Sequence, residues 1–370
     1  MSLLVEMNQK ALELGVPLSV QMDLTYRCNE RCVHCYLDHE DRGEMSAAEI
    51  KGVLSQLSEA GVFFLTLSGG EVLMRRDFFD ILEFARRLLF NVKMKTNGVM
   101  IREREAKRIR ELGVEQVQIS VYSHRAEVHD AITKLPGSLK RTVAAIRFLR
   151  AQGLKVVIAN VLMSANLFDN TGVIALAEEL GVGYTVDPTV SPKMDGDRSV
   201  VSLRIAAAEL GQVFHDRTVV GDVDAFCAPP PSPDESVMEG YPCSAGHTSC
   251  YISPYGDVFP CVQFPLPSGN VRRQSFLEIW RHSSQLKQVR SIRAKDLTEC
   301  SSCAHVGSCT RCPGLAYMEG SMLGPSTADC EKSFQRTGIP AGNGRLRPAP
   351  PSRAPLIQIQ PLPARPDCPW

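Results

Sequence analysis

The stretch "LSVQMDLTYRCNERCVHCY" (residues 18–36) joins an apolar, strand-like run to a loop carrying Cys28, Cys32 and Cys35 in a C-x3-C-x2-C spacing. A structural zinc takes four closed Cys or His ligands, usually as two C-x2-C pairs. A cubane iron–sulfur cluster also takes four ligands, one per iron. Here only three thiols follow the strand. The fourth position is left to His34 inside the loop, which a zinc site would use, or to something that is not protein.

Reading outward, the strand is the first of six. The apolar runs "LSVQMDLT", "VFFLTLSGG", "NVKMKTNG", "VQISVYS", "KVVIANVLM" and "YTVDPTV" alternate with helical patterns such as "SAAEIKGVLSQLSEAG", "RDFFDILEFARRLLF", "REREAKRIRELG" and "SLKRTVAAIRFLRAQG". Ser46 and Glu49 form a capping-box pattern, and several of the helical stretches close at Gly. Successive βα units predict an α/β fold with a parallel sheet, either doubly wound or a partial barrel. In both cases function gathers at the C-terminal strand ends. The three cysteines, Ser68-Gly69-Gly70-Glu71, Thr96-Asn97-Gly98 and the "SVYS" run all stand at such ends.

The 370-residue chain is 44% hydrophobic and 22% charged with formal net charge zero, so bulk charge points to neither a nucleic-acid partner nor an anionic membrane. Glu6 and Lys10 interrupt the N-terminus before a signal-peptide core forms, and no run approaches the roughly 20 apolar residues of a membrane span. A cytoplasmic protein is expected. Thirteen cysteines in a reducing compartment then read as metal ligands rather than disulfides, and they fall in two regions, with none between residues 36 and 226.

With Tyr36 directly after Cys35 and GGE after the next strand, the chain resembles the radical S-adenosylmethionine (radical SAM) superfamily. The resemblance implies a partial (β/α)6 TIM-type barrel in which three thiolates hold three irons of a 4Fe-4S cluster. S-adenosylmethionine would chelate the fourth iron and be cleaved reductively to a 5′-deoxyadenosyl radical. It implies cosubstrate contacts at Tyr36, Ser68, Gly69, Gly70, Ser120 and Asn160, and at Glu71, which would accept a charge-assisted hydrogen bond from the methionine ammonium. Arg141 is a further candidate for the carboxylate, although Thr133-Lys134 stand where the family often has an arginine. Asn160 reads equally as a satisfied core polar group, and Thr96-Asn97-Gly98 as a plain turn.

The second region carries Cys243, Cys250 and Cys261, then Cys300, Cys303, Cys309 and Cys312, then Cys330. "SPYGDV" reads as a hairpin turn. The pattern resembles the SPASM extension of many radical SAM peptide maturases, with one residue fewer between Cys309 and Cys312. By that resemblance Cys243, Cys250, Cys261 and Cys312 hold one auxiliary 4Fe-4S cluster, and Cys300, Cys303, Cys309 and Cys330 the other. If Cys250 does not ligate, the first cluster keeps an open iron. On residues alone, a zinc ribbon with His247 or His305 remains the alternative. Cys227 and Cys368 fit neither pattern.

The expected organisation is an N-terminal helical segment (1–17), a radical SAM core (18–194), a connector (195–240), an auxiliary-cluster domain (241–337) and a disordered Pro-rich tail (338–370). The expected function is hydrogen abstraction from a ribosomally made peptide or small protein. A haem-type tetrapyrrole or other small metabolite is the alternative substrate, and a zinc-binding interaction protein the alternative class. Expected partners are an electron donor such as flavodoxin or ferredoxin and, the first 17 residues being short for a recognition domain, a separate leader-peptide-binding chain.

Overall fold

Strands form where the apolar runs stand: β1 (Ser19–Asp23), β2 (Phe64–Ser68), β3 (Asn91–Thr96), β4 (Gln116–Ser120), β5 (Val156–Val161) and β6 (Gly183–Asp187). The computed structural model describes residues 3–40 and 42–341, so the expected tail lies, from residue 342 onward, outside the described residues. Each strand pairs in parallel with the next, in the order β6-β5-β4-β3-β2-β1. A doubly wound sheet would reverse its strand order partway. This one never does, and β6 does not return to β1, so the sheet is a partial barrel.

Around it run α1 (Leu3–Leu14), α2 (Ala47–Glu59), α3 (Phe78–Arg87), α4 (Glu103–Glu111), α5 (Ala126–Thr133), α6 (Ser138–Ala151) and α7 (Asn170–Glu179). The sequence patterns do not single out α5 or α7. Gly172 interrupts the stripe of α7, which keeps Val173 and Ala177 as its buried apolar positions. The Ser46–Glu49 capping box forms as expected at the start of α2.

Alternation along the strands divides the barrel into two faces. Val20, Met22, Leu65, Leu67, Val92, Met94, Val117 and Ile119 are wholly buried in the apolar core. Gln21, Lys95 and Gln118, one residue out of phase, line the interior cavity.

The C-terminal region does not stand apart from this sheet. β7 (Ser249–Ile252) pairs in parallel with β1, and β8 (Asp257–Phe259) and β9 (Gly269–Asn270) follow antiparallel, giving a sheet of nine strands among the described residues. The expected hairpin turn sits between β7 and β8, with Gly256 at φ 87°. Beyond it, Phe276, Ile279 and Trp280 join the core, and the Trp280 Nε1 donates to the Gly15 carbonyl at 2.7 Å. In the connector, α8 (Ala207–Phe214) packs against the helix Thr327–Thr337.

Candidate active site

The cysteine loop leaves β1 and is tied down from all sides. Glu44 accepts from the Thr25 hydroxyl and the Tyr26 amide, both at 2.7 Å, and the Arg31 and Val33 amides donate to the carbonyls of Thr133 and Ile132 on α5, both at 3.0 Å. The Asn97 Nδ2 donates to Asn29 Oδ1 at 2.7 Å. The Thr96-Asn97-Gly98 turn is thus also a clamp on the loop.

Gly69 and Gly70 are required by a close approach. A Cβ at either position would lie 2.3 Å from a backbone oxygen, of Thr25 or Arg27 respectively, and Gly69 has φ 136°. The Gly70 amide donates to Thr25 O at 2.7 Å and the Glu71 amide to Arg27 O at 2.9 Å. The GGE segment therefore extends the sheet ladder along the base of the cysteine loop.

Cys28, Cys32 and Cys35 line a cavity of about 600 Å³ at the C-terminal strand ends, together with Tyr36, Ser68, Gly69, Gly70, Ser120 and Asn160. Burial pushes the Cys28 thiol up to about 12, and raises Cys32 and Cys35 as well. Such sulfurs become thiolates when cationic metal is bound. The Glu30 amide lies 3.4 Å from the Cys28 sulfur, a hydrogen bond of the kind that tunes a cluster's potential. His34 packs edge-on against Tyr122, ring centroids 4.7 Å apart, and burial lowers its pKa to about 4. Asn160 is 1% exposed, with Oδ1 accepting from Asn166 and Nδ2 left without a protein partner at the cavity wall.

Two of the expected contact residues are not among the residues that line the cavity. Glu71 does not line the cavity and is completely buried. Its carboxylate accepts from the Thr96 hydroxyl at 2.8 Å, the Asn97 amide at 2.9 Å and the Leu73 amide at 3.1 Å. It braces the strand ends. The Arg141 guanidinium is also outside the cavity, donating to the carbonyls of Gly137 and Pro136 in its own helix start.

The second cysteine region separates in space as it interleaves in sequence. Cys300, Cys303, Cys309 and Cys330 line one cavity of about 320 Å³, which also contains His305 and Arg311. Four thiols around a space of that size suit a cubane. Among the described residues no three His, Cys, Asp or Glu side chains converge closely enough for a single metal ion. His305 is bound at Nε2 to the Ile339 carbonyl, and His247 at Nδ1 to Ala245 O.

Cys312 leaves that group and approaches Cys261, which in turn neighbours Cys243, close enough for each charge to raise the next thiol. Gly314 permits this approach, since a Cβ there would meet the Gln263 carbonyl at 2.1 Å. Cys250 differs from these in its packing. It is 4% exposed in β7, beside Val20 of β1, within the apolar core. The charge of Cys261 raises the Cys250 thiol as well, so Cys243, Cys250 and Cys312 all neighbour Cys261, with Cys250 the one packed against the core, and Gln263 carries that neighbourhood into the large cavity. Cys227 stands apart with its sulfur on the Phe214 carbonyl, and Cys368 lies outside the described residues.

The sequence reading passed over several cavity residues, among them Gln21, Glu30, Lys95, Gln118 and Gln263. Gln21, Lys95 and Gln118 left a signal, as polar residues alternating with apolar ones in "LSVQMDLT", "NVKMKT" and "VQISVYS".

Comparison with known proteins agrees with this geometry. The radical SAM superfamily matches residues 22–169, and the SPASM iron–sulfur cluster-binding domain matches residues 243–313. An AdoMet-dependent heme synthase of Methanosarcina barkeri is 30% identical over 332 residues, covering 82% of this chain and 93% of that protein. Mycofactocin maturase MftC of Mycobacterium tuberculosis is 29% identical over 351 residues, covering 91% and 88%. Among solved structures, Streptococcus suis SuiB bound to its precursor peptide SuiA superposes with a TM-score of 0.68 at 18% identity, covering 87% of this chain and 78% of SuiB. No helix among the described residues is long and apolar enough to cross a membrane.

Proposed function

The chain belongs to the radical SAM superfamily and is an enzyme of its SPASM-bearing branch, and from that membership we propose that it modifies a side chain of a ribosomally made peptide by hydrogen abstraction. The observation that carries the reading is the continuous cavity. It runs from the Cys28–Cys35 loop to Val262, Gln263 and Pro265 beside the C-terminal cysteines, and is bordered by the edge strand β6 through Thr185, Val186 and Asp187. An extended peptide can lie along such an edge with one side chain directed inward. The similarity to MftC and the SuiB fold support the same substrate class.

With its cluster and S-adenosylmethionine bound, the site supplies a 5′-deoxyadenosyl radical by reductive cleavage of the sulfonium. The protein's residues hold, orient and exclude. Cys28, Cys32 and Cys35 would hold three irons. Ser68, the Gly69–Gly70 backbone and Ser120 would position the methionine end, and the Asn160 Nδ2 would donate to the ribose. Cys300, Cys303, Cys309 and Cys330 would hold one auxiliary cluster and Cys243, Cys261 and Cys312 the other. The electron would come from a flavodoxin- or ferredoxin-type donor, and a leader-peptide binder would be a separate chain.

A haem-type tetrapyrrole is the second reading, favoured by the similarity to the heme synthase and by a cavity within the usual range for small-molecule sites. The test is incubation of the anaerobically reconstituted enzyme with S-adenosylmethionine, dithionite and each short peptide encoded beside its gene, or with iron-coproporphyrin. A mass change in a peptide, coupled to 5′-deoxyadenosine, is expected. Turnover of the tetrapyrrole alone would overturn the peptide reading.

A further inference from the structure

Among the described residues lining the large cavity, Lys95 is the single lysine or arginine. It sits on the inward face of β3, across from Gln118 of β4 in the strand register, and its ammonium donates to Gln21 Oε1 at 3.0 Å. No carboxylate lies within ion-pair distance of it among the described residues. Asp23 is instead engaged by the Tyr251 hydroxyl at 2.9 Å, the Gln21 amide at 3.2 Å and the Tyr36 hydroxyl at 3.3 Å. The charges that act on the Lys95 ammonium are Asp23, Cys261 and Asp187.

Lys95 is solvent-accessible at the cavity wall, and with a neutral amide as its hydrogen-bond partner its ammonium keeps donors open to an incoming anion. The anion's size follows from its neighbours. One ammonium flanked by two neutral amides supplies the two or three donors that a carboxylate accepts, whereas phosphate sites usually add a guanidinium or a nest of backbone amides. The position also matters, because an anchor here would fix the substrate between the cosubstrate end of the cavity and the Cys261 neighbourhood.

We infer that Lys95, with Gln21 and Gln118, binds a carboxylate of the substrate and so sets which carbon faces the cosubstrate. The inference rests on the radical SAM reading of the site but not on which substrate class is correct. A peptide supplies the group as a C-terminal or side-chain carboxylate, a tetrapyrrole as a propionate.

The probes are a library of N-acetylated hexapeptides as free acids, the same library as C-terminal amides, coproporphyrin III, and its methyl ester. Each is titrated against reconstituted wild type, Lys95→Gln and Lys95→Arg by ultrafiltration and mass spectrometry. Iron content and S-adenosylmethionine affinity serve as controls for folding and for the cosubstrate site. Loss of one charge-assisted contact predicts that Lys95→Gln binds the acid form of the accepted probe about ten- to a hundredfold more weakly, with Lys95→Arg partly restoring it. The methyl ester, and amides that carry no side-chain carboxylate, should bind wild type and Lys95→Gln alike.

An effect confined to free-acid peptides, or to side-chain carboxylates within the amide library, supports the inference with a peptide substrate. An effect confined to coproporphyrin supports it while overturning the peptide reading. Equal binding of every probe by wild type and Lys95→Gln, or a comparable loss of S-adenosylmethionine affinity in Lys95→Gln, overturns the inference and leaves the radical SAM reading intact.

Discussion

Single residues change meaning once their surroundings are known. Glu71 closes the GGE motif, but its carboxylate is consumed by Thr96, Asn97 and Leu73. Replacing it with Ala strands two backbone amides and a hydroxyl in a buried site, which should cost about 2–3 kcal/mol in denaturant unfolding of the iron-free protein. Unaltered stability with weakened S-adenosylmethionine binding would return Glu71 to the role of a direct contact. Cys250 makes the opposite case. It packs as a small apolar residue in the core, so Cys250→Ala should retain the wild-type iron content while losing about 1 kcal/mol of stability. A drop of about four irons per chain would make it a ligand after all. Nothing in the spacing of cysteines distinguishes these outcomes, because spacing does not say which face of β7 a side chain takes.

At the level of elements, the sequence was most legible where pattern and local chemistry agree. The capping box of α2 is one example. Hydrogen bonds from the Ser46 amide and hydroxyl, with help from Arg272, lower the Glu49 pKa to about 2. A carboxyl depressed below its unfolded value of 4.5 contributes stability at pH above that value and loses it as pH falls toward 2. Its side chain is 44% exposed, so screening keeps the contribution below about 1 kcal/mol. Wild type and Glu49→Gln should therefore differ in melting temperature at pH 6 and converge near pH 2; a constant difference would assign the effect to shape alone. The same local logic located β1 to β6 and the β7–β8 turn. It missed α5 and α7, short helices whose buried stripes have too few apolar positions to register as a period.

For the whole molecule, the decisive feature is the parallel pairing of β7 with β1, which makes the C-terminal cysteine region part of one sheet. Tyr251, Phe276 and Trp280 of that region are buried in the intact chain. A fragment ending at residue 240 would bare the β1 edge and the apolar surface beneath it, and should fail to give a cooperative melt. In the intact chain, hydrogen exchange should protect the amides of β1 and β7 to the same degree. A cooperative melt of the fragment would show a barrel that folds alone. By itself the sequence determined the succession of strands and helices, the three-thiol loop at a strand end and the two cysteine regions. These are properties of order along the chain, written in local periodicity and spacing. Only the tertiary structure decided that Cys250 packs against the core, that Glu71 is buried and that Lys95 lines the cavity with Gln21 as its hydrogen-bond partner. Each of those depends on strand register and on long-range neighbours, and a shift of one residue would send the side chain to the opposite face.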